Sequence, residues 1–266
     1  MTAVQIRPAD TAEPALAVRA RDVLISEWTK LGSVRSTYWT LLVAAVTAVG
    51  GSAVVAAPAR GPRPVPDPVA WSFIGWLEYP VLAVGILGVL AFTAEYTTGQ
   101  IRTTFTAVPR RLAVLAAKAA VAGTVALVFG ELLAFASFLL TQAILSGRQQ
   151  GVSLAHPGVP GAVLAAGFVL VVVAVLGLAF GAIIRHTAGA IAALPALFYL
   201  PLILLWLPPP WNHRIERFTL PVAAYQVVAL HPATNLFDPA LSLLVLIAWP
   251  AVALLAAAVL ITRRDA

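Results

Sequence analysis

One uncharged, continuously apolar run limits the possible folds of this chain more than any other feature. It extends from Gly161 to Ile184. A helix needs about 20 apolar residues to cross the hydrocarbon core of a bilayer. Only helices and closed barrels satisfy their backbone groups in lipid, and barrel strands alternate apolar with polar residues. This run does not alternate, so it predicts a membrane-spanning helix.

Five further apolar stretches predict additional spans, and the composition supports them. Hydrophobic residues make up 61% of the 266 residues and charged residues only 11%, whereas soluble domains carry about 25% charged residues. Pro195 and Pro201 predict that the fifth span is kinked or broken. The predicted spans are Trp39–Ala57, Trp71–Ala94, Ala113–Leu140, Gly161–Ile184, Ala188–Leu207 and Ala240–Ile261. We therefore expect an all-α, polytopic membrane protein with six transmembrane helices.

The basic residues predict the orientation of these spans. Assigning the connecting segments alternately to two sides places twelve Arg and Lys residues on one side and five on the other. The positive-inside rule then puts both termini in the cytoplasm of a multi-pass protein of the cytoplasmic membrane. The net charge of +6 is accounted for in this way, and nothing in it indicates nucleic acid as a partner.

The residues before the first span divide into two parts. Residues 1–18, rich in Ala, Thr and Pro, predict a disordered tail, and residues 19–266 a single six-helix transmembrane domain. Within 19–37, apolar and charged positions recur at helical spacing, which predicts an amphipathic helix on the membrane surface. A basic flank that only sets topology is the alternative. The residues that mark this helix are Glu27, Trp28, Lys30 and Leu31.

A second short helical segment is expected outside the membrane before the last span. The segment Pro208–Asp238 contains the apolar run Phe218–Leu230, which is too short to cross the bilayer. It lies at the outer interface or dips in and returns.

Two acidic residues fall within predicted spans. Glu131 lies near the middle of the third span and Glu78 about two turns into the second. An ionisable group at such depth costs at least ~2.5 kcal/mol, so a functional site is the default hypothesis. The alternative is a hydrogen bond between helices or a protonated carboxyl facing the bundle. For Glu78 this structural role is favoured, because Trp71, Trp76 and Tyr79 place it near the outer interface.

The chain carries no recognisable catalytic or metal motif. It has no Gly-Lys dipeptide, hence no phosphate-binding loop of the Walker type, and no Gly-x-Ser-x-Gly elbow. It has no cysteine, and its four histidines are dispersed, so no metal site is expected. We expect a non-enzymatic chain whose energy, where it needs any, comes from a separate subunit.

The most informative stretch lies between the second and third spans. Gly99 permits a turn, and Gln100–Ala107 is predicted to form a short helix across the cytoplasmic ends of the spans. Arg102 and Arg110 would present charge to lipid or to a partner. Positive-inside charge alone is an alternative for Arg110 and its neighbour Arg111, but it does not explain the acid and glycine before them. The stretch predicts a docking loop.

These residues resemble the export-class permeases of ATP-binding-cassette (ABC) transporters, and the actinobacterial members look most similar. The resemblance covers about residue 19 to the C-terminus and rests on the six-span plan, on the segment Ser26–Leu31 and on the loop residues. Those loop residues are Glu95, Tyr96, Gly99, Ile101, Arg102 and Arg110. It implies a partnership with a cytoplasmic ABC ATPase, which binds ATP and Mg²⁺, and with a second permease copy or homologue. The loop would then contain the helix that couples the two.

Two other functions stay open. One is an ATPase-independent secondary transporter or channel with Glu131 as an ion or proton site; the other is a membrane anchor or remodelling protein on the same fold. Copurification with an ATPase would distinguish an exporter from a secondary transporter or channel. ATP-dependent solute movement would distinguish it from a membrane anchor or remodelling protein. The sequence does not identify the transported substrate.

Overall fold

The described part of the chain is almost entirely helical. The computed structural model describes residues 19–57, 65–77, 79–108, 110–147, 149–204, 206–208 and 211–263. These residues contain no β-strand. The α-helices are α1 Ala20–Ser33, α2 Arg35–Ala56, α3 Pro68–Trp71, α4 Pro80–Thr97, α5 Gln100–Ala107, α6 Arg111–Ser146, α7 Val159–Ile184, α8 Thr187–Leu204, α9 Trp211–Glu216, α10 Leu220–Val228 and α11 Pro239–Arg263, with a 3₁₀ helix at Ile74–Leu77.

Five of these helices are long and apolar enough to cross a membrane, namely α2, α4, α6, α7 and α11. The protein is therefore an all-α, polytopic membrane protein, as the sequence predicts. A shorter apolar stretch of α8, Thr187–Tyr199, corresponds to the fifth predicted span, so six spans stay a prediction. The tail at 1–18 lies outside the described residues.

The second predicted span begins too early in the sequence. Trp71–Ala94 was expected to be one helix, but α4 starts only at Pro80. Pro80 has no backbone N–H to donate into a preceding turn, so it suits the first turn of a helix. Upstream, the Asp67 side chain accepts hydrogen bonds from the N–H groups of Val69 and Ala70 and caps the separate short helix α3. Glu78 lies outside the described residues.

The connection between α7 and α8 is a two-residue turn, Arg185–His186. Arg185 takes a left-handed backbone conformation at φ 57°, and the N–H of Gly189 donates to Nδ1 of His186 at 3.3 Å. α8 then continues through Pro195 and Pro201 without interruption. Of the two expected alternatives, this excludes a break, and a kink stays a prediction.

Helix α7 forms the centre of the bundle. About two thirds of its apolar stretch is buried, compared with 22% for α2. α4 packs against it backbone to backbone, since a Cβ atom at Gly88 would overlap the carbonyl oxygen of Ala174. Close approach of this kind gives helices in lipid dense packing without a hydrophobic driving force. α6 packs along another side of α7.

The two ends of the bundle differ in charge. We call them the α1 end, which also holds α5 and the start of α6, and the α10 end, which also holds α3 and the end of α6. Most described basic residues lie at the α1 end: Arg19, Arg21, Lys30, Arg35, Arg102, Arg110, Arg111, Lys118, Arg185 and Arg263. Only Arg214 and Arg217, among described residues, belong to the α10 end.

Buried polar side chains fasten the α10 end. The Gln142 amide of α6 donates to the backbone oxygen of Pro68 at 2.9 Å and accepts from the N–H of Val152. Asp67 accepts the N–H of His231 at 2.7 Å. These bonds connect segments that are far apart in the sequence and hold them together at the α10 end.

Candidate functional site

Helix α1 turns its charged side toward the protein and an apolar side away from it. Val23 and Glu27 are buried against the bundle, whereas Leu24, Ile25 and Trp28 are exposed, Trp28 by 55%. A helix forms as predicted between Ala20 and Ser33, but it ends there, and residues 35–37 of the predicted stretch belong to α2. Because the chain is a membrane protein, we expect this outer apolar side to meet lipid. The predicted residue Leu31 is half-buried between the two sides.

Four charged side chains from three helices meet at the α1 end, and we call them the ion cluster: Glu27 and Lys30 of α1, Glu95 of α4 and Lys118 of α6. Lys118 Nζ lies 2.6 Å from Glu27 Oε2 and 2.6 Å from Glu95 Oε1. Lys30 Nζ lies 2.8 Å from Glu27 Oε1 and 2.8 Å from Glu95 Oε1. Two carboxylates thus face two ammonium groups, and the cluster has no net charge.

Lys118 is the most deeply buried member of the cluster. Its side chain is only 2% exposed, and Nζ also donates to the backbone oxygen of Ala91 at 3.2 Å. The Phe92 ring lies 6.0 Å from Nζ. Three acceptors for the three ammonium hydrogens satisfy this lysine fully, which is the condition for keeping a charge out of water.

Lys30 closes the cluster toward solvent. Its side chain is 30% exposed. Burial alone lowers the pKa of Lys30, but hydrogen bonds and charges from Glu27 and Glu95 outweigh burial and hold the pKa above its ordinary value. Lys30 therefore stays an ammonium ion at any physiological pH.

The predicted loop helix forms as α5, with the predicted bounds. Gly99 precedes it at φ 71°, a left-handed conformation that glycine adopts without steric cost. Ile101 is buried on its inner side. The hydroxyl of Thr104 donates to Glu95 Oε2 at 3.3 Å. α5 is thus attached to the ion cluster by a polar bond and to the bundle by an apolar contact.

Aromatic and cationic side chains attach α5 and α4 to neighbouring helix ends. The Arg111 guanidinium lies 5.4 Å from the Phe105 ring centre of α5 and donates to the backbone oxygen of Ile261 at 3.0 Å. The Arg185 guanidinium lies 5.5 Å from the Tyr96 ring centre. The contacts of Arg111 connect α5, α6 and α11, and the contact of Arg185 connects the end of α7 with α4. The predicted residue Tyr96 therefore packs within the bundle.

The opposite side of α5 is open. Arg102 and Arg110 are both exposed, and neither forms an ion pair with another described residue. The structure thus separates the predicted loop residues into two groups. Glu95, Tyr96 and Ile101 hold the helix in place, whereas the two arginines point outward and are accessible to a partner.

Lys118 is recognisable in the sequence by its depth in the third predicted span, but its charge also fits the positive-inside pattern. Lys118 lies within the predicted span Ala113–Leu140, so it is an ionisable residue within a predicted span, as Glu131 is. When Lys118 is treated only as a flanking positive charge, the sequence indicates no partner for it. Glu27 and Glu95 are separated from it by 91 and 23 residues, and no spacing rule connects such distant positions. Thr104 and Arg185 carry no distinguishing pattern.

A cavity of about 370 Å³ lies beside the ion cluster, between α1, α2, α4 and α6. Hydroxyl groups of Ser33, Ser36 and Thr37 line one part of it, and Leu87 and Leu90 line another.

Glu131 lies on α6 away from the ion cluster. It packs against α7, and its Oε2 atom is buried with no hydrogen-bond partner among the described residues. The structure does not bring Glu131 together with any charged group of the cluster.

The α1 end therefore connects several helices through charged side chains. Buried, compensated charges connect α1, α4 and α6, and the exposed Arg102 of α5 and Arg110 at the start of α6 lie at the same end. Such an arrangement can pass a displacement of α5 to two membrane-spanning helices. No family model and no curated protein matches the sequence.

Proposed function

We propose that the chain is the membrane permease subunit of an ABC-type exporter, driven by ATP that a separate cytoplasmic subunit hydrolyses. ATP and Mg²⁺ bind to that subunit and not to this chain. The transported substrate crosses the cytoplasmic membrane through a path formed with a second permease copy or a homologue. The resemblance of the loop and of Ser26–Leu31 to such permeases supports this proposal.

One observation carries the proposal: α5 is a short helix with an open outer side, yet it is fixed to the ion cluster. A push on α5 reaches α4 through the continuous chain at Gly99 and through the bond from Thr104 to Glu95. It reaches α6 through the pairing of Glu95 with Lys118. A flexible loop would absorb such a push, whereas this helix transmits it.

The charge distribution supports a cytoplasmic position for α5. The α1 end holds most of the described basic residues, and the positive-inside rule assigns that end to the cytoplasm. An ATPase subunit approaching from the cytoplasm then meets Arg102 on the open side of α5 and Arg110 at the start of α6. We infer that an acidic surface of the ATPase contacts these arginines, which would guide association electrostatically.

Copurification and transport in the same membranes test this proposal. We expect Arg102→Ala to reduce the amount of ATPase that copurifies, since it changes only the outer side of α5. We expect Glu95→Ala to retain ATPase but to uncouple transport from hydrolysis, because it cuts the connection behind α5. The two changes combined should abolish ATP-dependent transport while membrane insertion persists. Arg214→Ala, an exposed arginine at the α10 end, is the matched control.

Two outcomes would contradict the proposal. If wild-type protein copurifies with no ATPase from its native membranes, the exporter function is wrong. If the combined variant keeps wild-type copurification and wild-type transport at equal expression, α5 has no part in coupling.

A further inference from the structure

Glu131 occupies the middle of the longest helix, far from any water-exposed end. It lies 20 residues after Arg111 and 15 before Ser146, which is roughly 30 Å and 22 Å along the helix axis. The hydrocarbon core is only about 30 Å thick. The carboxyl group therefore lies deep within the membrane.

The carboxyl group lies at a close approach of α6 and α7, which a glycine on each helix permits. A Cβ atom added to Gly130 of α6 would lie 2.7 Å from the backbone oxygen of Gly167 of α7. A Cβ atom added to Gly167 would lie 2.5 Å from the carboxyl carbon of Glu131 and 2.6 and 2.7 Å from its oxygens. The missing side chain of Gly167 thus provides the space that the carboxyl group fills.

No charged group compensates Glu131. Its Oε2 atom is buried without a partner among the described residues, and α7 contains no titratable residue between Val159 and Ile184. The other elements packed against α6 carry their titratable or charged groups at the two ends: Arg19, Arg21, Asp22, Glu27, Lys30, Arg35, Tyr38, Asp67, Glu95, Tyr96 and Arg263. Lys118, on α6 itself, is held by the ion cluster.

The open side of the carboxyl group faces outward from the chain. Glu131 is partly exposed, and its neighbours on α6, Val128 and Leu132, are 58% and 66% exposed. Apolar side chains so exposed in the middle of a membrane span face lipid or another apolar surface. A carboxylate anion in this position would lose its hydration and gain no counter-ion, which is far more costly than burying the neutral acid.

We propose that Glu131 and Gly167 form a proton-binding site in the apolar interior of the membrane. The bound proton keeps the carboxyl group neutral, with Oε2 sealed against α7. Loss of the proton would drive the carboxylate out of the space at Gly167, so proton occupancy is linked to the packing of α6 on α7. This site does not depend on the source of energy for transport.

Labelling with a hydrophobic carbodiimide tests the site directly. The O–H of a neutral carboxyl group adds across one C=N bond of the reagent: the oxygen bonds to the central carbon and the proton moves to nitrogen. Acyl migration to nitrogen then gives a stable N-acylurea, and no group leaves. In purified wild-type protein near neutral pH, we expect this adduct on the Glu131 peptide by mass spectrometry. Glu131→Gln should lose it.

Variants at neighbouring positions make the result decisive. Gly167→Ala places a methyl group where the carboxyl group sits, so we expect the Glu131 adduct to increase as the carboxyl group is displaced toward the reagent. Gly161→Ala is the matched control, because a Cβ atom there meets nothing within 4 Å. Val128→Glu in a Glu131→Gln background shows that the reagent reaches a carboxyl group at this depth.

A second measurement does not depend on reagent access. The infrared C=O stretch of a neutral carboxyl group is distinct from carboxylate bands, and wild type minus Glu131→Gln should show one such band that shifts in D₂O. The band together with the adduct supports the proton site. A carboxylate band in its place, or no Glu131 adduct while the Val128→Glu control is labelled, would overturn it. Neither measurement requires an ATPase, so failure here leaves the exporter proposal untouched.

Discussion

Replacing Lys118 with methionine should destabilise the protein more than any other single change in the ion cluster. Methionine keeps most of the side-chain volume but removes the ammonium group, leaving two carboxylates, 5% and 6% exposed, with only Lys30 as counter-ion. Breaking a buried ion pair costs about 3–5 kcal/mol. Because Lys30 still contacts both acids, we expect the lower part of that range, about 3 kcal/mol.

Two comparison variants separate charge imbalance from lost packing. Lys30→Met removes a cation that is 30% exposed and leaves Lys118 in place, so its cost should be under about 1 kcal/mol. Lys118→Met with Glu95→Gln restores neutrality, since Glu27 and Lys30 then pair alone. Neutral replacement of a buried ion pair is often tolerated, so the double variant should be more stable than Lys118→Met by itself.

The assay is the free energy of unfolding in detergent micelles, combined with a local probe. The chain has no cysteine, so a single Val23→Cys, at a position 7% exposed on α1, reports detachment of α1 through its rate of thiol labelling. We expect Lys118→Met to accelerate labelling and the double variant to restore it. A double variant no more stable than Lys118→Met would refute the electrostatic argument.

The remaining predictions concern the turn, the pH dependence and the orientation. Gly99→Val should cost roughly 1–2 kcal/mol because a branched residue disfavours the left-handed conformation, and faster proteolysis between α4 and α5 would reveal it; Gly99→Asn should cost less, and equal costs would contradict the conformational argument. Since the folded pKa of Lys30 is raised, its stabilisation is fully present below the unfolded pKa, as long as its carboxylate partners stay ionised, and is lost only as pH rises through the folded value; the stability difference between wild type and Lys30→Met should therefore not change from neutral to mildly alkaline pH, as thermal unfolding can show. A reporter active only in the cytoplasm, fused after Ala266, should be active; the opposite signal from a well-expressed fusion would reverse the predicted topology.

The sequence predicts the local structure of this protein well because its signals are local. The apolar run Gly161–Ile184 coincides with α7 apart from two residues at its start, and α5 has the predicted bounds, Gln100–Ala107. The error at the second span is also local in origin. Trp71–Ala94 is apolar enough for one helix, but hydropathy does not register that Pro80 suits a helix start and that Asp67 caps a separate short helix.

The ion cluster is less accessible to sequence reasoning, because it depends on how distant segments pack. Glu27, Lys30 and Glu95 stand out as charges in two separate motifs, but nothing in their spacing connects them. Lys118 is the residue that joins them. Glu131 is recognisable from its depth alone, whereas its position over Gly167 requires the crossing of α6 and α7.

The length of α6 has a consequence for how the two ends of the bundle move. The helix has 36 residues, roughly 54 Å, and contains no proline, so it has no built-in hinge. Lys118 and Gln142 each lie 12 residues from Gly130, roughly 18 Å on either side of its contact with Gly167. If that contact acts as a fulcrum, α6 is a lever with equal arms. A sideways shift of α6 at the ion cluster would then produce a shift of similar size and opposite direction at Gln142, at the α10 end.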